Sequence, residues 1–246
     1  MKLYFLSLIP IIMSVILAYL FPLNQLVPIS IFWIFLAYLL LRAAFSGELE
    51  IIRDYRSNAK WGILSSYMMV HYLLYSIAIE NLLAYIYKPV ILNFQTSPSI
   101  ALFTNPFSSS PNLVGLGLSL VFNPTLTFFI PPNLIADLSL YSIVLGLIIS
   151  ILVTSSLSII FSINKKLKLA GLIPLIGIIA GASCCVSIPV LLAESLETAN
   201  LVFLSSSEWQ ITFIAYLLLP ILTIIFLKHL SNSLIKLKNQ ILSKNF

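Results

Sequence analysis

The chain has 246 residues, of which 60% are hydrophobic and 9% charged, and its mean hydropathy is +1.06. A water-soluble domain carries about a quarter Asp, Glu, Lys and Arg, so a soluble globular fold is excluded and lipid is the expected solvent for most of the chain. The formal net charge of +5 does not point to nucleic acid, because the basic residues sit in short stretches between apolar runs, a distribution that orients membrane helices.

A bilayer core takes about 20 apolar residues per helix. Six segments reach that length, at about 3–21, 26–45, 61–87, 138–163, 169–193 and 210–228. They predict an all-α integral membrane protein, a six-span helical bundle forming a single polytopic domain over 1–246. The first segment opens like a signal peptide, with Lys2 before an apolar run, but no small-residue cleavage pattern follows and a second span comes at once, so it is expected to be a retained helix. After the second span, Glu48, Glu50, Arg53, Asp54 and Arg56 recur at mostly helical spacings, which predicts a solvated helical extension over 46–60.

The third span is the most polar. At 100° per residue, Tyr67, His71 and Tyr75 share one face, while Ser65, Tyr72, Ser76 and Glu80 lie roughly opposite. Protein is therefore expected on at least two sides of it. A long extracytoplasmic loop follows at 88–137, between spans three and four, and from Pro89 to Ala136 it carries no charge. Within it, Leu113–Ile130 is apolar enough to suggest a crossing, but Asn123 and Pro124 interrupt the helix, so an interfacial or re-entrant segment is expected there. In the fifth span, Gly177 and Gly181 make a GxxxG spacing that admits a close helix neighbour, and Pro189 kinks the helix by depriving the Cys185 carbonyl of its partner. The tail over 227–242 alternates Lys with Leu and Ile and is expected to lie on anionic lipid.

With the N-terminus cytoplasmic, every Lys and Arg except Lys88 falls inside, whereas Glu80, Asp137, Glu194, Glu197 and Glu208 gather toward the outer face. The positive-inside rule then gives a multi-pass protein of the cell membrane with both termini cytoplasmic. A crossing at 113–130 would put Lys165, Lys166, Lys168 and the basic tail outside.

Ionisable and thiol groups inside spans are the candidate site residues. His71 can relay protons or hold a metal, or pack as a hydrogen-bonded residue against Tyr67 or Tyr75. Haem is disfavoured, because His71 lies about 15 Å along its helix from Trp61 and His229 sits at the inner end of the last span. Cys184 and Cys185 suit a thiophilic ion, or fill a helix interface as small polarizable side chains. Ser183, Cys184, Cys185 and Pro189 together resemble the vicinal-cysteine helix of bacterial mercuric-ion transport membrane proteins. That resemblance, over about a dozen residues, implies a metal accepted by the cysteine pair from the outer side.

Three functional readings follow. One is a small transporter or permease component for a cation or thiophilic metal, fed by an acidic outer mouth of Glu80, Asp137, Glu194 and Glu197. Another is a non-catalytic accessory or anchoring subunit of a larger membrane complex, or a homo-oligomer. The third is a membrane thiol or haem redox protein, which ranks last because adjacent cysteines are not the CxxC of thiol oxidoreductases. No phosphate loop, metalloprotease motif or nucleophile elbow is present.

Overall fold

The computed structural model describes residues 6–53, 57–74, 98–104, 113–130, 134–163 and 207–244. Its helices are α1 (Leu8–Leu20), α2 (Leu26–Ala43), α3 (Ser46–Arg53), α4 (Ser57–Met69), α5 (Leu113–Phe122), α6 (Leu140–Ile163) and α7 (Ser207–Lys244). A π-helical turn, Val70–Leu74, continues α4. Three strands, β1 (Ser99–Phe103), β2 (Thr125–Ile130) and β3 (Leu134–Ser139), form an antiparallel sheet in sequence order.

The organising element is α6. Its start is fixed by a reciprocal cap, in which the Ser142 amide donates to Ser139 Oγ and the Ser139 amide to Ser142 Oγ at 3.2 and 3.1 Å. From there an uninterrupted apolar run with Ser and Thr carries the helix for 24 residues, about 36 Å. Its hydroxyls fold back on the helix, Ser150 onto the Gly146 carbonyl at 2.6 Å and Ser158 onto the Thr154 carbonyl at 2.7 Å, which lets polar side chains sit in an apolar interior. In the most apolar 18-residue stretch of Leu140–Ser162, 83% of the residues are buried, against 11% for α2. Both helices are long and apolar enough to cross a membrane.

Around α6 pack α2, α3, α4, α5 and α7. The main core joins Trp33 of α2, Tyr67 of α4, Tyr141, Ile148, Ile149 and Leu152 of α6, and Leu227 and Leu234 of α7. A second cluster of Ile52, Leu64 and Ile151 seats α3 and α4 on the other side of α6. α1 lies against α2 across a turn closed by the Gln25 amide nitrogen donating to the Ala18 carbonyl at 3.0 Å.

The structure corrects several expectations. The chain is mostly helical but not all-α: within the outer loop expected over 88–137, the runs Ser99–Phe103 and Thr125–Ile130 pair as strands, with Leu102 opposite Leu126 and Phe128 opposite Ala136. Their β-branched and aromatic content suits a pleated surface better than a helix. The apolar stretch 113–130 is divided at Asn123–Pro124 into the ten-residue α5 and β2. Helix α5 is too short to cross a bilayer and is anchored by Trp33 Nε1 donating to the Leu120 carbonyl at 2.7 Å.

The segment after span two is not an extension of α2. The chain turns at Ala44 and Phe45 into the separate α3, because Phe45, Glu48 and Ile52 face the core. The tail is not a separate helix. It continues α7 as one helix of 38 residues through Pro220, with Leu227, Ser231 and Leu234 buried at helical spacing.

Candidate functional site

The polar groups of the interior gather at two levels along α6. At the first, α4 widens into the π turn and inserts an aromatic cluster. His71 is fully buried, stacked on Tyr67 at 5.8 Å between ring centroids and edge-on to Tyr72 at 5.4 Å. Tyr72 reaches past it to α6, where its hydroxyl donates to the Ile143 carbonyl at 2.7 Å. Gly146 makes that approach possible: a Cβ there would meet the Tyr72 ring at 2.7 Å from Cζ and 3.0 Å from Cε1. The expectation that Tyr72 points away from the Tyr67 and His71 face holds only for α-helical spacing. The π turn rotates Tyr72 so that all three rings meet, and such turns recur at functional sites.

The second level holds an ion pair between α3 and α7. Lys228 Nζ donates to Glu48 Oε1 at 2.7 Å, to Glu48 Oε2 at 2.8 Å and to the Ala44 carbonyl at 2.8 Å. The Glu48 side chain is 1% exposed and that of Lys228 31%, so the carboxylate faces inward and the ammonium arrives from the solvent side. The Ala44 carbonyl belongs to the C-terminal turn of α2, where the helix dipole favours a cation. The Phe45 ring adds a face 5.3 Å from Nζ.

Three further hydroxyls, of Thr154 and Ser156 on α6 and Ser231 on α7, are fully buried and make no hydrogen bond among the described residues. Ser231 stands one helical turn beyond Lys228.

Of the residues singled out from the sequence, His71 lies in the core beside two tyrosines. Asp137 lies on β3, in register with Thr127 of β2. Glu80, Gly177, Gly181, Cys184, Cys185, Pro189 and Glu194 lie outside the described residues. Among the described residues, no three His, Cys, Asp or Glu side chains group as a metal site. Sequence reasoning missed the Glu48–Lys228 pair, although it placed both residues at inner helix ends. The signal was available in Phe45, Glu48 and Ile52, whose spacing marks an inward-facing stripe. Comparison with protein-family models, with curated proteins and with solved structures gives no match.

Proposed function

We propose that the chain is a multi-pass membrane protein of six spans with cytoplasmic termini, acting as a small transporter or permease component for a cation. The observation that carries this reading is the inversion of polarity between interior and exterior. Ile9, Ile12, Leu20, Val27, Ile34, Leu222 and Ile225 are exposed on α1, α2 and α7, while His71, Glu48, Thr154, Ser156 and Ser231 are fully or almost fully buried. Lipid covers an apolar exterior at no cost, whereas ionisable groups inside a membrane bundle mark ion and substrate paths. Along α7 the exposed residues change from Leu218, Ile221, Leu222, Ile225 and Phe226 to a mostly polar set, His229, Asn232, Ser233 and Lys236 with Leu237. That change supports the reading of an inner boundary near Lys228.

The cargo reading adds Cys184 and Cys185 as acceptors of a thiophilic ion, resting on their resemblance to the mercuric-ion transport helix. Cellular uptake of a thiophilic metal should fall at least tenfold in Cys184→Ser and Cys185→Ser. Uptake unchanged in both variants removes that cargo. Orientation is tested on the Cys184→Ser, Cys185→Ser background with single cysteines at Ser109 and Ser233. A membrane-impermeant maleimide added to intact cells should label the first and not the second.

The accessory-subunit reading draws on a different observation, the interlock of Tyr72 with Gly146, which is a rigid packing contact. Recovery of stoichiometric partners after mild-detergent extraction, with no cation transport by the purified chain in vesicles, would favour it.

A further inference from the structure

We propose that Glu48 and the Ala44 carbonyl form a binding site for a monovalent inorganic cation, of which Lys228 is the built-in, exchangeable occupant. The donor set carries the argument. Three oxygens converge on the Lys228 ammonium at 2.7 to 2.8 Å, two from one carboxylate and one from a backbone carbonyl. Carboxylate and carbonyl oxygens are the ligands of hard cations, and potassium and ammonium are close in radius. One carboxylate matches one positive charge, which sets a monovalent ion above a divalent one.

The asymmetry in burial makes the site an exchange device. Glu48 is 1% exposed, and a bare carboxylate in that position is strongly disfavoured. Lys228, at 31%, rehydrates after a small movement of its flexible stem. A cation that takes the lysine's place keeps the buried carboxylate neutralised, so Lys228 and the ion exchange at one site. The buried hydroxyl of Ser231, without a hydrogen-bond partner among the described residues, stands one turn along α7, about 5 to 6 Å away between Cβ atoms by helical geometry.

This inference rests on the transport reading for its place in a cycle, but its test reads the site itself. Purified protein in lipid nanodiscs is treated with sulfosuccinimidyl acetate, and acylation of Lys228 is followed by mass spectrometry. KCl is exchanged for choline chloride at constant ionic strength, so that screening does not change. In the wild-type protein the acylation rate should rise several-fold and saturably with potassium, and less with sodium. In Glu48→Gln it should be high in choline and indifferent to potassium. A wild-type rate that is the same in potassium and in choline overturns the proposal, whatever the cysteine variants do to uptake. Because the decisive arm uses the unaltered chain, it does not depend on any variant folding.

Discussion

Replacing Gly146 with alanine tests the packing of the π turn on the central helix. In a helix interior, Gly→Ala by itself stabilises by about 0.8–1 kcal/mol. Here the new methyl would sit 2.7 Å from Tyr72 Cζ and 3.0 Å from Cε1, distances that real Cβ contacts do not tolerate without movement. The tyrosine must withdraw. Overpacking of this kind costs about 1–3 kcal/mol, and withdrawal breaks the 2.7 Å bond from the Tyr72 hydroxyl to the Ile143 carbonyl, for about 1 kcal/mol more. The net expectation is a loss of about 2 kcal/mol, or about 4–8 °C in Tm for a chain of this length. Thermal unfolding in detergent, followed by loss of the monodisperse peak, measures it. The double-mutant cycle is diagnostic. Tyr72→Phe keeps both clashing carbons and should not rescue Gly146→Ala, whereas Tyr72→Leu should, leaving the alanine neutral or stabilising. A Gly146→Ala protein more stable than wild type in the native background would refute the contact.

Thr154→Val keeps the side-chain shape and removes a fully buried hydroxyl that makes no hydrogen bond among the described residues, so stability should stay within about 0.5 kcal/mol of wild type or rise; a loss above about 1 kcal/mol would reveal a bound water or ligand. The charge reversal Glu48→Lys with Lys228→Glu should not restore stability. The Ala44 carbonyl accepts from Lys228 at 2.8 Å, and a carboxylate in the lysine's place would meet that carbonyl and the negative end of the α2 dipole. Each single variant should lose about 2 kcal/mol in the same thermal assay, reduced from the fully buried case by the exposure of Lys228.

How far the sequence discloses this fold depends on the range of the interaction. Helix α6 is legible because its apolar run is long and Ser139 with Ser142 supplies a local cap. The helix break at Asn123–Pro124 is legible because proline acts on its own backbone. The sheet is less so: β1 and β2 are separated by 21 residues, and their pairing, Phe103 with Thr125, is decided by partners rather than by local preference. The π turn is not legible, because His71 and Tyr72 take their positions from Gly146, more than 70 residues away. The Glu48–Lys228 pair spans 180 residues, and a window around either one shows only a charged residue near an apolar run. Charge counting placed both on one side of the bilayer without revealing that they meet.

The helix directions bear on the segment that most affects topology. From Trp33, whose ring meets Tyr141 at 5.6 Å, α2 advances to Leu41, which packs on the cluster containing Ile151. Helices α2 and α6 are therefore parallel. α4 runs the other way, since Leu64 shares that same cluster with Ile151 while Tyr72 bonds to Ile143. A membrane chain reverses direction at each crossing. If 113–130 crossed between spans three and four, α6 would have to run with α4 and against α2. The opposite arrangement is the one expected when the chain returns from the outer face after a loop. The ten residues of α5, tied to α2 by Trp33, are too few to add a crossing. Lys228 of α7 meets both the Ala44 carbonyl at the end of α2 and the carboxylate of Glu48 on α3.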